Sequence, residues 1–398
     1  MNPAHGGIVL ASCCQCRNTQ ARAGFVRVDI TQEGIGMTSK SLMTAAIVSA
    51  GVASYMTIAG LTGFCPMCKS VTDSVFGGAT PVAHTTQPED GGEAGHAAAE
   101  ADGFRVVNRE GSVDIETAFD LTGLSIPRDE IHTLLPVDAI PALTDPRTQG
   151  IDEADFLADD ARIIVVEVGG EVLGVPLAVL NFHEIVNTTI GGEPVAATYC
   201  PLCDSATVFK RTVGEDDDAA VLEFGVSGAL YNSNVIMYDR TDRGLWSQLA
   251  LGAVSGPRAG ASLEFLPVRI VSKTQFAMDH PGAPVVSNDT GHERDYSGSP
   301  YTSFFENPDY LLVPVSGVGD ALPLKTLGLG ILAGEKAYFV SADAIGEEMT
   351  IPTGSGDVVA RATEAGIDVL EAPKGVRTAQ AFYYSWSAFH PRTEVIGE

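Results

Sequence analysis

From residue 104 onward, short apolar runs alternate with glycine-marked turns. The runs 162–168 (RIIVVEV), 171–180, 195–200, 219–226 and 234–238 have strand length and are rich in β-branched residues. Gly169-Gly170 and Gly191-Gly192 punctuate them as turns. Helical patterns are fewer and are predicted at 152–158, 182–186 and 378–389. No alternating β-α-β rhythm and no dinucleotide glycine fingerprint is present. The expected fold is therefore α+β and mainly β: a single large domain of short antiparallel strands with a few helices, covering 104–398. That length is at the upper limit for one core, so a two-lobed form stays open. A weak internal echo runs through the domain. Phe276-x-x-x-His280-Pro281 leads into Val285-Val286, and Trp386-x-x-x-His390-Pro391 leads into Val395-Ile396. Each predicts an aromatic and a histidine on one helical face, a proline stop, and a following strand.

A different pattern precedes the domain. Residues 41–63 carry no charge and are long enough to cross a bilayer core as a helix. Arg22, Arg27 and Lys40 lie before the segment, which places its C-terminal side outside the cytoplasm. An N-terminal membrane anchor is expected; a cleaved leader is the rival, with Thr57-Ile58-Ala59 a poor cleavage site. Residues 1–40 read as a tail, and Met37 opens an ordinary start for an exported protein. Leu10-Ala11-Ser12-Cys13 resembles a lipoprotein box but lacks the leader such a box needs. Residues 64–103 hold Cys65-Pro-Met-Cys68 and then a small, acidic stretch too poor in large apolar side chains to order itself. His84 and His96 in that stretch are expected to be solvated.

The formal net charge is -27, from 51 acidic and 24 basic residues. Such a surface repels phosphate backbones, so no nucleic-acid partner is expected, and the membrane is contacted through the N-terminal helix alone. Seven cysteines are too few for a disulfide scaffold. Their placement is more informative, with Cys200-Pro-Leu-Cys203 inside the domain. Two thiols at this spacing suit either a soft metal, copper or zinc, or a redox disulfide. The ordinary alternative is a structural staple. A relay between Cys65/Cys68 and Cys200/Cys203 is conceivable across the acidic linker.

Other candidates are weaker. His183-Glu184-Ile-Val-Asn187 begins like a zinc-protease helix but has Asn187 where a second imidazole is required. His183 therefore remains a single-ligand candidate or a packed histidine. His292 is a second ligand or base candidate, and Arg294-Asp295 beside it is a surface pair or part of a pocket. Tyr231, Asn232, Asn234 and Trp246 are further pocket candidates, since polar-aromatic clusters combine shape with hydrogen bonding. A hydrolase would need Ser227 or Asp295 beside a histidine, and Gly225-Val-Ser227-Gly228-Ala229 misses the nucleophile-elbow pattern.

Taken in order, several of these runs resemble one family. They are Leu180-Asn-Phe-His-Glu-Ile-Val-Asn187, Thr198-Tyr-Cys-Pro-Leu-Cys203, Phe224-Gly-Val-Ser-Gly228, Tyr231-Asn-Ser-Asn234, Met237-Tyr-Asp-Arg240, Leu245-Trp-Ser-Gln248, Thr290-Gly-His292 with Arg294-Asp-Tyr296, and Phe389-His-Pro391. The chain over 135–398 is similar to the family of unknown function numbered 3179. The resemblance implies an exported or membrane-associated protein of bacteria or archaea and implies no activity. Asp204 stands where the family leads one to expect Gly or Asn, and His292 where an aromatic is expected. Two readings follow: a membrane-tethered extracytoplasmic domain binding copper or zinc or cycling a dithiol, and a non-metal β-rich ligand-binding module with a cysteine staple.

Overall fold

The computed structural model describes residues 111–214 and 219–397. The expected anchor at 41–63, the Cys65/Cys68 pair and the acidic linker lie outside the described residues. Among the described residues no helix is long and apolar enough to cross a membrane. The architecture is mainly β, with several antiparallel sheets and short helices.

The predicted strands 162–168, 195–200 and 234–238 form as Arg162–Val168, Glu193–Cys200 and Asn234–Asp239. Residues 219–226 divide into a two-residue strand, Ala220–Val221, and the start of Phe224–Tyr231. One strand expectation and three helical ones need correction. Residues 171–180 are not one strand: the strand ends at Pro176, and helix Leu177–His183 follows. The helix expected at 182–186 stops at His183, because Glu184 takes a left-handed conformation (φ 56°) and Ile185–Ile190 is a strand. At 378–389 only Tyr383–Phe389 is helical, after strand Arg377–Phe382. At 152–158 only the 3-10 turn Ile151–Glu153 forms.

The internal echo is the visible edge of a complete structural repeat. In the first copy, hairpin Arg162–Val168/Glu171–Pro176 is joined by Ile270–Ser272 and, in parallel, by Pro284–Val286. In the second copy, hairpin Leu327–Ala333/Lys336–Ser341 is joined by Arg377–Phe382 and, in parallel, by Glu394–Ile396. The registers correspond pair for pair. Ile164↔Val175 answers Leu329↔Val340, Ile164↔Ile270 answers Leu329↔Gln380, and Gly174↔Val285 answers Phe339↔Val395. The closing helices Lys273–Asp279 and Tyr383–Phe389 end alike, with His280 N donating to Phe276 O and His390 N to Trp386 O, both at 2.9 Å. A residue preceding proline avoids helical backbone, which is why each helix stops where it does.

The copies exchange strands. Ser205–Lys210 of the first pairs with Arg377–Phe382 of the second through Ala206↔Gln380. Reciprocally, Asp368 in Ile367–Glu371 bridges to Arg269, just before Ile270–Ser272. The largest apolar core runs across both copies, from Ile164 and Val175 to Leu329 and Val340. Between strands Ser205–Lys210 and Ile270–Ser272, the first copy also carries an inserted sheet of Phe224–Tyr231, Asn234–Asp239, Leu245–Ser247 and Gly252–Ala253, edged by Ile131–Thr133. Residues 287–326 connect the copies with one four-residue helix, Thr302–Phe305.

Candidate functional site: a buried thiol pair

Strand Glu193–Cys200 ends in the 3-10 turn Pro201–Cys203, with Pro201 opening that turn. Asp204 closes it at φ 42° and ψ 37°. This left-handed backbone is easiest for Gly or Asn, which accounts for the expectation at this position. Asp204 is held there by its carboxylate, which accepts from Tyr199 Oη at 2.8 Å and pairs with Arg162 Nη1 at 2.9 Å. The turn thereby aims both sulfurs to one side, and both are fully buried free thiols.

Three further elements meet the sulfurs. The inserted sheet presents hairpin turn Asn232-Ser233, whose two residues both have positive φ (48° and 61°). The Ser233 carbonyl lies 3.1 Å from Cys203 Sγ and 3.8 Å from Cys200 Sγ, so it accepts from whichever sulfur is protonated. The second copy's closing helix brings Ser385 Oγ to 3.1 Å from Cys203 Sγ as a donor, and Tyr384 Oη to 3.6 Å, its proton shared with Leu202 O at 2.7 Å. From the connecting segment 287–326, Tyr301 and Phe304 pack into the same apolar cluster as the cysteines. A polar floor fixes Asn234: its Nδ2 donates to Ser205 Oγ (3.0 Å) and Gln248 Oε1 (2.9 Å), while Gln248 Nε2 donates to Thr198 Oγ1 (3.0 Å). Ser233 Oγ and Asn234 Oδ1 are buried without a hydrogen-bond partner, which is uncommon in a folded interior.

The environment splits the two thiols. Burial pushes Cys200 well above the ordinary thiol value, and its hydrogen bond to Cys203 adds to that. Burial also acts to raise Cys203, but hydrogen bonds from Cys200, Ser385 and Tyr384 outweigh it and leave Cys203 below the ordinary value. Glu184, fixed by the helix stop after His183, is raised to about 8 by burial and by the nearby Cys203 charge. It therefore holds a proton at neutral pH. Tyr301 is raised by burial and by Glu184 and Cys200. The arrangement supplies one sulfur held below the ordinary thiol value, a second held above it, and a buried acid.

The other sequence candidates divide. Asn234 belongs to the site. Asn232 supports it from the turn, its Oδ1 accepting from Ser316 N at 3.0 Å. Trp246 is buried and donates to Asp239 Oδ2 at 3.1 Å, and Tyr231 packs edge-on to Phe389. His183 is engaged at both nitrogens, 2.7 Å each, by Pro141 O and Tyr296 Oη. Burial, with His292 and Arg294 nearby, lowers it to about 4. His292 lies tilted against His183, with ring centroids 5.3 Å apart. Arg294 and Asp295 are exposed; Asp295 accepts from Ser297 and Arg294 donates to Glu293 O. Ser227 is buried, donating to Ile236 O and accepting from Ala229 N, with no histidine among its hydrogen-bond partners. Among the described residues no three His, Cys, Asp or Glu side chains converge as a metal site. Glu184, Tyr384 and Ser385 escaped the sequence reading. A carboxylate placed between two apolar runs was the available signal for Glu184; the hydroxyls of FYYSWSAF read as ordinary helix.

No curated protein and no solved structure matches the chain. Residues 137–378 match the model described as protein of unknown function (DUF3179), most of the domain and all of the Cys200–Cys203 turn, so the chain belongs to that family.

Proposed function

We propose that this protein is a membrane-tethered extracytoplasmic dithiol, in which Cys203 is the reactive sulfur and Cys200 its partner. The supporting observation is the hydroxyl beside Cys203: Ser385 Oγ donates to Cys203 Sγ at 3.1 Å, with Tyr384 Oη 3.6 Å away. Hydroxyl donors favour a thiolate over a thiol, and the thiolate is the form that attacks. Cys200, within hydrogen-bond reach, keeps its proton and closes the disulfide: two thiols lose two protons and two electrons to an acceptor. The uncharged segment 41–63 behind Lys40 supports the tether and the extracytoplasmic placement, where such a pair is free to oxidise.

Complete burial of both sulfurs favours a second reading, a structural pair supporting a ligand-binding module. Exposing the reduced full chain to hydrogen peroxide and to glutathione disulfide, and then to dithiothreitol, separates the two, with peptide mass spectrometry following Cys200 and Cys203. Reversible interconversion of dithiol and disulfide, with Ser385→Ala slowing the reaction of Cys203 about three- to tenfold, is expected. A pair that never oxidises, together with a Cys200→Ser/Cys203→Ser variant that only lowers the melting temperature, supports the structural reading. Copper or zinc retained stoichiometrically by wild type and lost in that variant moves the assignment to a metal thiolate.

A further inference from the structure

Resting on the dithiol reading, we infer that the oxidant of this pair is a peroxide of about the size of water, with hydrogen peroxide its simplest member, rather than a disulfide-bearing partner. Access makes the first argument. Cys203 has no exposed surface and Cys200 only 1%. Segment 287–326 covers the cluster and is pinned to the elements that hold the sulfurs. Ser316 N donates to Asn232 Oδ1 in the Ser233 turn, and Gly319 N donates to Ser387 Oγ on the Ser385 helix. Within the segment, Lys325 Nζ braces the short helix and the residues after it by donating to Phe304 O (2.6 Å) and Asn307 O (2.7 Å). The cleft of about 530 Å³ beside Lys325 is lined by neither cysteine nor any of their hydrogen-bond partners. The void of about 10 Å³ beside Trp246 and Gln248 is likewise lined by neither cysteine. A disulfide cannot reach Cys203 without displacing the cover; a molecule as small as peroxide enters by ordinary fluctuation.

Chemistry makes the second. Ser233 Oγ and Asn234 Oδ1, in the hairpin whose Ser233 carbonyl faces the sulfurs, are buried polar atoms without a hydrogen-bond partner. Peroxide carries two O–H donors and fits such atoms; an apolar guest does not. The Cys203 thiolate attacks one peroxide oxygen, forming S–O and breaking O–O, so sulfur is oxidised by two electrons and oxygen reduced. The leaving hydroxide takes the Glu184 proton and departs as water. Cys200 sulfur then attacks the sulfenic sulfur. The S–S bond forms, the S–O bond breaks, and the released hydroxide takes the Cys200 proton as a second water.

The reduced full chain is mixed in parallel with hydrogen peroxide and with glutathione disulfide at equal concentration, following the Cys200/Cys203 peptide by mass spectrometry. The expected result is disulfide formation at least 100-fold faster with peroxide. In Cys200→Ser, or Cys200→Ala if the serine variant does not fold, Cys203 is expected to be trapped as a sulfenic acid by dimedone. Glutathione disulfide reacting as fast as peroxide overturns this inference while leaving the dithiol standing. Oxidation by neither overturns the dithiol reading as well.

Discussion

At the scale of single residues, the site depends on Glu184 being somewhere a carboxylate does not belong. It is buried, and the left-handed turn after His183 leaves it no route to the surface. Its ionisation is raised from 4.5 to about 8 in the folded protein, whereas the unfolded chain releases the same proton near 4.5. Between those values the folded state holds more protons than the unfolded state. Stability contributed at this residue is therefore complete at low pH and is lost as pH rises through that window. Glu184→Gln removes the dependence. The gap in unfolding free energy between variant and wild type is expected to widen in the variant's favour from pH 5 to pH 8, reaching on the order of 3–4 kcal/mol. Urea titrations at a series of pH values measure it. A gap that stays constant with pH means that Glu184 is ionised in the folded protein.

At the scale of elements, the two copies solve one packing problem in opposite ways. Each closing helix drives an aromatic ring onto its own hairpin, and each hairpin clears a glycine for it. In the first copy Gly174 makes room for Phe276, since a Cβ there would lie 2.9 Å from the ring and 2.6 Å from Val285. In the second copy Gly330 makes room for the larger Trp386, and a Cβ would lie 2.2 Å from the indole. Register equivalence sets Val165 opposite Gly330 and Gly174 opposite Phe339, so the bulk lost on one strand is restored on the other. Gly330→Ala is accordingly expected to cost about 1–3 kcal/mol, and Trp386→Phe in the same chain to recover part of it. Chemical denaturation of the two variants tests this, and an additive double variant would show the residues to be uncoupled. This compensation also explains how little of the repeat was legible in the sequence. Strands such as Arg162–Val168 declare themselves by β-branched content. The repeat shows only in two His-Pro corners, because compensating changes erase similarity while preserving shape. Helix Leu177–His183 was hidden for a related reason: it is mostly buried, and its LAVL continues the apolar run of the preceding strand without a polar face. The Cys200–Cys203 turn was legible because its spacing is local. Ser385 and Tyr384 were not, being brought to it by a pairing between copies that no local pattern encodes.

At the scale of the whole molecule, strand exchange makes the two copies one cooperative unit. The thiol site sits at one crossing, where Ser205–Lys210 meets Arg377–Phe382. At the reciprocal crossing Asp368 is completely buried between Arg269 and Arg361, each 2.8 Å from its carboxylate. Removing one member of such a set strands the others, so Asp368→Asn is expected to destabilise by about 3–5 kcal/mol. Its effect should reach the far crossing, since neither copy completes its sheets alone. The chain's two tryptophans report on this separately, Trp246 from the inserted sheet and Trp386 from the second copy. Trp386→Phe and Trp246→Phe leave one probe each. With and without Asp368→Asn, both probes are expected to give transitions at the same denaturant concentration, shifted together by the mutation. Were Trp386 to report unfolding well before Trp246, the second copy would be separable. Cys203 would then lose its hydroxyl donors while its own turn still stood, and the acidity of the thiol would rest on the weaker half of the fold.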